Sequence, residues 1–364
     1  MLRNLRLNNY RNYPECEVNF TTGIHLVIGQ NGQGKTNLIE SIFLLSTGSL
    51  IRGSRDKDAI LAGQTTSVVS GELTETGTEL SVVIDLTARK KARLNGASLP
   101  RASDLLGRLP TVSFVSSDLD VVREEPSARR NFLDLQLSQI SSAYFRNLVA
   151  YRRSLEQRNA CLKAAQQGDR SFLGAMDAYT EQMAVHGAYL REERNLFMER
   201  LNFSAGEIHR TLGSGESFEL QYEQKDLSIG TEELRQAYDR NIDADIQRGT
   251  TQLGPHRDDF SITVAGKDAR QFSSQGQQRT AAIGLKLGVI PLILENLSIK
   301  PIILLDDVLS ELDTSRRSLL VEWLAQQEMQ SFLTCPEAEQ AGRMIMDRSS
   351  ILEVDSGKVV TKNP

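Results

Sequence analysis

The stretch Gly29-Gln-Asn-Gly-Gln-Gly-Lys-Thr36 constrains this chain more than any other. It fits the pattern G-x-x-x-x-G-K-[S/T] at every position. The apolar run "IHLVI" (24–28) precedes it directly, and "TNLIESIFLLSTG" opens after it with apolar residues at helical spacing. A strand, a glycine-rich loop and a helix in that order place successive backbone N–H groups around phosphate oxygens, and the helix N-terminus adds positive potential at the same point. Lys35 then reaches the outer phosphates and Thr36 offers its hydroxyl to Mg²⁺. The candidate nucleotide cradle is therefore Gly29, Gln30, Asn31, Gly32, Gln33, Gly34, Lys35, Thr36 and Asn37.

A second stretch, "IILLDD" (302–307), supplies what such a cradle needs next. Four apolar residues read as a buried strand, and two carboxylates end it. Asp306 is the candidate Mg²⁺ ligand, and Asp307 the group that orients or deprotonates an attacking water. Two acids at the end of a strand are common alone; with the glycine-rich loop they point to ATP and Mg²⁺.

The rest of the chain reads as one large domain interrupted by an insertion. Its 364 residues exceed a single compact core. Strand patterns fill the first hundred or so residues, among them "TSVVSGEL", "ELSVVIDL" and "KARLNG", the last ending in an Asn95-Gly96 hairpin signal, and "PTVSF" (110–114) closes them. From Ser127 the pattern turns helical. Tyr144, Leu148, Tyr151, Leu155, Leu162 and Ala165 step by threes and fours around the polar Arg158. Phe172, Met176, Tyr179, Met183, His186, Leu190 and Phe197 do the same beyond the turn "QQGDRS". Two such helices form an antiparallel pair of arms, each on the order of 30 Å long, with His186 a packed seam residue. Strands return with "SFELQYE" and "DFSITVAG", flanking a helix near 231–247, then come a helix over 276–297 and the tail strands "SFLTC" and "SILEVDSGKVV". The expected organisation is an N-terminal lobe at 1–118, an inserted helical domain at 119–204 and a C-terminal lobe at 205–364.

Cys16, Cys161 and Cys335 lie far apart without a C-x-x-C spacing, which speaks against a disulfide framework or a zinc site and for a reducing cytosol. The N-terminus lacks the apolar core of a signal peptide, and no run approaches the roughly 20 apolar residues that span a bilayer. A net charge of −5 gives no global attraction to nucleic acid, so DNA contact must come from local basic patches. The clearest is "ARKKARLNG" (88–96), where Lys90, Lys91 and Arg93 sit on or beside a hairpin, followed by Arg101 and Arg108. An edge strand kept soluble by lysines reads the same way. Arg129-Arg130 is a second candidate, and an arginine pair entering an amphipathic helix is also structural glue.

"FSSQGQQR" (272–279) sits just before a long apolar run. Ser273 or Ser274 there serves as a helix N-cap. With the glycine-rich loop, "LLDD" and "SELD" (310–313), the segment resembles the ABC-type ATPases, whose signature is S-x-G-Q. That resemblance implies an α/β ABC-type ATPase head carrying a helical, coiled-coil-like arm. It further implies that Ser274, Gly276 and Gln277 meet the γ-phosphate of ATP held by a second copy, in a head-to-tail homodimer with Asp313 at the interface. "NNYRNY", "GQNGQGKTNLIESI", "PSARRNFLD", "LGPHRDD", "FSSQGQQRT" and "LLDDVLSELD" follow one another as in the RecF family of bacterial recombination mediators, and the resemblance runs essentially end to end. It implies ATP-dependent dimerisation on DNA at single/double-strand junctions, slow DNA-dependent hydrolysis as a release timer, RecO and RecR as partners, and nucleotide contact by Arg11, with Arg52 in an arginine loop. The chain departs from the family at Ser116-Ser117, where Pro-Glu is usual, and at Glu124, where glycine is usual. Thr334 stands where transporter ATPases carry a switch histidine. A transporter ATP-binding subunit, an ATPase–nuclease fusion and a nucleotide-gated binding module without turnover are the alternatives. They would show, respectively, an LSGGQ-like signature with the switch histidine, a nuclease domain after Asp313, and ATP binding without hydrolysis.

Overall fold

The computed structural model describes residues 1–362 except 52–54, 170, 172, 214, 227 and 229. The chain forms two compact units: Met1–Leu119, Glu207–Gly215 and Ala282–Pro364 make the first, and Asp120–Gly206 with Glu216–Ala281 the second.

The first unit opens with β1 (Leu2–Tyr10), β2 (Tyr13–Asn19), β3 (Ile24–Ile28), β4 (Thr66–Leu73), β5 (Glu79–Asp85), β6 (Lys91–Leu94), β7 (Ala97–Ser98) and β8 (Thr111–Phe114). The second contributes β9 (Phe218–Glu223), β10 (Asp259–Val264) and β11 (Lys267–Asp268). The first unit resumes with β12 (Ile302–Leu305), β13 (Ser331–Cys335), β14 (Ser349–Asp355) and β15 (Lys358–Lys362).

Two sheets build the first unit. One has the order β2-β1-β4-β5-β6-β7 and is antiparallel throughout. On its strands β4 and β5 buried and more exposed residues alternate, as one core face and one wetter face require. Its β6–β7 turn takes Asn95 at φ 50° and Gly96 at φ 78°, the left-handed pair that a two-residue hairpin demands. The other has the order β15-β14-β3-β13-β12-β8, with only β15 antiparallel. Its strands β8, β12 and β13 are buried along their whole length, which is why β12 reads as an unbroken apolar run and β8 and β13 mix apolar residues with small Ser and Thr rather than alternating with charges. Parallel register brings the C-terminal ends of β3, β12 and β13 to one edge, the position where open α/β sheets hold ligands.

In the second unit helices Pro126–Ile140 and Ser142–Gln166 run in succession, and a helix of 39 residues begins at Leu173. That helix ends at Thr211, so the boundary expected at 204 falls inside it. Gly206 lies within the helix, and the first glycine at positive φ beyond it is Gly213 at 77°, where the helical run ends. Residues 216–281 group with 120–206 rather than with the C-terminal lobe expected over 205–364. The reason is polar. Asn202 Oδ1 accepts from the Leu220 amide at 2.8 Å, and Arg191 reaches both Asp226 and Asp258 at 2.8 Å. Arg158, the polar residue on the arm seam, pairs with Asp245 at 2.7 Å, and Arg194 donates to the Pro255 carbonyl at 2.7 Å. His186 is half-buried, its Nδ1 2.8 Å from Asn147 Oδ1.

The helix expected over 276–297 is two, Gln275–Leu287 and Val289–Leu297, meeting at Gly288. With a mean hydropathy of 1.5 over its most apolar window, the combined Gln275–Leu297 run has the length and composition of a membrane span, contrary to the expectation that no run comes close. That window is 72% buried inside the protein, as core helices are.

Candidate nucleotide-binding site

Two positions of the loop after β3, Gly29 and Gly34, have a backbone and surroundings that only glycine fits. Gly29 has φ 147°, and a Cβ there would lie 2.3 Å from the Val354 carbonyl oxygen. Gly34 has φ 122°, and its Cβ would fall 2.6 Å from the Asn12 amide nitrogen and 2.9 Å from the Tyr13 hydroxyl. The close approaches are also the supports. Tyr13 Oη donates to the Gly34 carbonyl at 2.9 Å, Asn12 Nδ2 to the Gln33 carbonyl at 2.7 Å, and Asn37 Nδ2 to Asn12 Oδ1 at 2.8 Å. From the β14–β15 turn the Ser356 amide donates to Gln33 Oε1 at 2.6 Å. Turns from both ends of the chain thus brace the loop.

At the start of helix Lys35–Thr47, Thr36 Oγ1 lies 3.0 and 2.9 Å from the two carboxylate oxygens of Asp306, 270 positions later. Thr334, on β13, donates its hydroxyl to Asp306 Oδ1 at 2.8 Å and accepts the Asp307 amide at 2.8 Å. Asp307 sits at φ 58°, a left-handed position that turns the chain sharply after β12 and leaves its side chain exposed. The Lys35 ammonium donates to the carbonyls of Gly29 and Gln30. Burial lowers its pKa, while Asp307 and Asp306 act in the opposite direction. These groups line a cavity of about 180 Å³ that includes Asn31, Gly32, Gly34, Asn37 and Thr334. A carboxylate beside a threonine hydroxyl is an oxygen donor set suited to a hard divalent cation, and a lysine over exposed amides is suited to phosphate. Cys335 adjoins the site, but burial pushes its thiol up to about 11, so it stays protonated.

Other expected site residues lie elsewhere in local structure. Arg11, at φ 55° in the β1–β2 turn, pairs with the buried Glu40 at 2.8 Å and donates to the Asp58 carbonyl at 2.8 Å. Asp313 caps helix Thr314–Gln326, accepting from the Arg316 amide at 2.9 Å, and this bond holds its pKa low. Ser274 and Gln277 close a capping box: the Ser274 amide donates to Gln277 Oε1 at 2.7 Å and the Gln277 amide to Ser274 Oγ at 3.3 Å. Gly276 lies in the first turn of that helix, its carbonyl accepting from Thr280 Oγ1 at 2.9 Å. Lys90 is held by Asp56 at 2.7 Å with its side chain 16% exposed, whereas Lys91 and Arg93 point from β6 into solvent. Arg52 lies outside the described residues. Arg129 forms a two-pronged pair with Asp259 at 2.7 and 2.8 Å. Sequence reasoning missed Asn12, Tyr13 and Ser356 as loop supports, and it noted Thr334 only for not being histidine. No local pattern announces contacts across 323 positions.

Residues 1–359 match the profile of the RecF/RecN/SMC N terminal domain family. The DNA replication and repair protein RecF of Shouchella clausii is 36% identical over 368 residues, covering 99% of each chain. This chain belongs to the RecF family. A second RecF, from Geobacillus kaustophilus, is 37% identical over 367 residues and 98% of each chain. Among solved structures, the recombination mediator protein RecF with ATP in the RecFOR pathway superposes with a TM-score of 0.90 at 31% identity, covering 100% of this chain and 97% of that one. The Smc head domain from Pyrococcus furiosus, with a TM-score of 0.59 at 17% identity over 100% of this chain and 96% of that one, shares the fold. RecF-family membership and the α/β head fold thus rest on the whole chain.

Proposed function

We propose that this RecF-family chain binds ATP with Mg²⁺ and, so loaded, pairs head to tail with a second copy on DNA, at junctions of single and double strands. The observation that carries the reading is the meeting of Thr36 with Asp306 at the mouth of β3 and β12, beside a loop in which Gly29 and Gly34 leave room only for a bare backbone. The amides of Gln30, Asn31, Gly32 and Gly34 surround the phosphates, while those of Gly29 and Gln33 shape the loop by donating to the Pro336 and Gln30 carbonyls at 3.2 and 3.4 Å, and Lys35 turns from its carbonyl partners to the phosphates. Thr36 and Asp306 would hold Mg²⁺, which would supply neutralisation of phosphate charge. Thr334 fixes Asp306 so that its oxygens need not reorganise. Asp307, exposed at the end of the strand, orients the water that attacks the γ-phosphate. Ser274, Gly276 and Gln277 present a capped helix start to the nucleotide of the other copy, with Asp313 at the same interface. Arg11 closes the cradle from the β1–β2 turn. Lys91 and Arg93, with Lys90 beside them, contact DNA phosphates. Hydrolysis is a slow timer that releases the dimer, and RecR and RecO are its partners in the cytoplasm.

Mixing two inactive variants tests the trans arrangement. Lys35→Ala removes the cation of the cradle, and Ser274→Arg puts bulk and charge where the signature approaches phosphate. Each alone should fail to dimerise with ATP. In a mixed dimer one site joins an intact Lys35 to an intact Ser274, so light scattering should detect partial recovery of ATP-dependent dimers. If both variants unfold at wild-type temperatures and no mixture recovers, Ser274 is a cap in cis and the head-to-tail reading fails.

A further inference from the structure

Two motifs take no part in the nucleotide site, "PSARRNFLD" (126–134) and "LGPHRDD" (253–259). Both line one cavity of about 170 Å³ within the second unit. Helix Pro126–Ile140 lends it Ser127, Arg130 and Asn131, spaced to share one helical face. Tyr151 and Arg152 come from the next helix, and His256 from the loop before β10.

The charges in this cavity do not balance. Three guanidinium groups line it, Arg130, Arg152 and Arg194, against one carboxylate, Asp134. That carboxylate is fully engaged: Oδ1 accepts from Tyr144 Oη at 2.6 Å and Arg194 Nη2 at 2.7 Å, and Oδ2 from Arg152 Nη2 at 2.8 Å. Arg130 differs from its neighbours. It donates Nη1 to the Asp258 carbonyl at 2.9 Å, and among the described residues it forms no ion pair. The adjoining Arg257 donates its side chain to the Thr251 carbonyl at 3.2 and 3.1 Å and likewise forms no ion pair among the described residues. Burial holds Arg130 below the usual arginine range; Arg194 and Arg257 act the same way, and Asp259 against them. His256 adds no charge. Its Nδ1 lies 2.7 Å from the Tyr151 hydroxyl and its Nε2 3.1 Å from the Thr251 carbonyl, and burial pushes its pKa down to about 3.

A half-buried guanidinium with N–H groups to spare, crowded by like charges, is matched by an oxyanion. Excess positive charge and donors arriving from three elements favour a tetrahedral, multiply accepting anion over a planar carboxylate. We propose that this cavity is a phosphate-binding site, with Arg130 as the main contact and Ser127, Asn131 and Arg152 around it. The phosphate belongs either to a nucleic-acid backbone or to a small phosphate compound. Only the backbone assignment rests on the DNA-binding function proposed above.

Two measurements on the full chain separate these sources. The first is fluorescence anisotropy of a labelled gapped duplex over a salt series. The second is ³¹P line broadening of inorganic phosphate at constant ionic strength, in a Lys35→Ala background so that the nucleotide site does not contribute. Arg130→Gln should abolish the broadening, reduce duplex affinity about tenfold and lower the slope of log K against log salt by about 0.9, the value of one phosphate contact. Arg130→Lys should restore part of each. Loss of both signals identifies the DNA backbone. Loss of the phosphate signal with unchanged duplex binding identifies a small phosphate compound. A variant with wild-type unfolding temperature that changes neither overturns the site. Should Arg130→Gln not fold, Ser127→Ala and Asn131→Ala, both at exposed positions, carry the same test with smaller losses. Wild-type protein that broadens phosphate but ignores the duplex would sink the DNA reading and leave the site standing.

Discussion

In the first unit the strands beside the nucleotide loop bury Leu26, Ile303, Leu304 and Phe332, with the uncharged His25, Ser331 and Thr334 as the polar side chains buried among β3 and β13. In the second unit Arg158, Arg191 and Arg194 lie in the interior, at 1%, 0% and 2% exposure, each against a buried aspartate. The contrast separates two ways of positioning a functional group. A dry parallel sheet aims backbone and carboxylates at one edge by register, and the side chains under it are interchangeable as long as they are apolar and fit. A network of ion pairs fixes its elements by directed bonds, and each member left alone becomes an unpaired buried charge.

Removing one partner of an ion pair should therefore have the largest effect. Asp245→Ala strands Arg158, and unfolding measured by denaturant should show a loss of about 3–5 kcal/mol, with hydrogen exchange rising first in residues 120–206 and 216–281. Replacing both by apolar residues, Arg158→Met with Asp245→Leu, should cost much less. Equal losses in the single and double variants would break the contrast.

Acid should come next. His256 titrates near 3 in the folded protein and near its ordinary value of about 6.5 in the unfolded chain, so the unfolded chain binds the extra proton in between. Stability is thus complete above about pH 6.5 and declines as pH falls toward 3. Asp226, lowered to about 2 by its bonds to Arg191 and Ser228 despite burial, extends the decline below its ordinary carboxylate range. His25 in the first unit is also held low by burial and gives the same sign there. The slope assigned to His256 is what His256→Gln should remove, visible as a flatter midpoint-against-pH curve between 6.5 and 3; an unchanged curve would put the acid sensitivity elsewhere.

The smallest effect belongs to the sheet edge. Thr334→Val keeps shape but strips one bond from Asp306 and leaves the Asp307 amide unpaired, for about 1–3 kcal/mol. Its sharper signature is weaker Mg²⁺-dependent nucleotide binding, measured by calorimetry. Full affinity with Mg²⁺ would mean that Asp306 needs no second hydroxyl to hold it.

The same contrast decides what the sequence makes legible. Gly29 to Thr36 and Ile302 to Asp307 are short, local patterns, and each implies its own backbone: glycines at positive φ, then a helix; an apolar run, then acids. Of Ser273 and Ser274, either of which the sequence offers as the cap, Ser274 takes it, within a capping box that spans only three positions. Arg191 reaching Asp258, 67 positions on, has no such mark. Its spacing on the helix fits a solvated face as well as a core, because a buried arginine and an exposed one read alike until the partner is known. The unit division at Gly206 falls two residues from the expected 204, while the grouping of 216–281 with 120–206 went unread for a related reason: it rests on the ties of Asn202 and Arg191 to distant residues.

The order β15-β14-β3-β13-β12-β8 also has a meaning in time. β3, which leads into the nucleotide loop, is flanked by β13 and β14 alone, and both come more than 300 positions after it in the chain. At about 5–20 residues per second, the ribosome needs roughly 15–60 s after releasing β3 to deliver its first neighbour. Through that interval a strand of "IHLVI" waits without a partner, while the whole of residues 120–281 emerges and can begin to fold. A nascent chain stopped before Ser331 therefore holds every residue of the glycine-rich loop and no sheet to carry it. The nucleotide cradle is thus completed only after the whole of the second unit has been made.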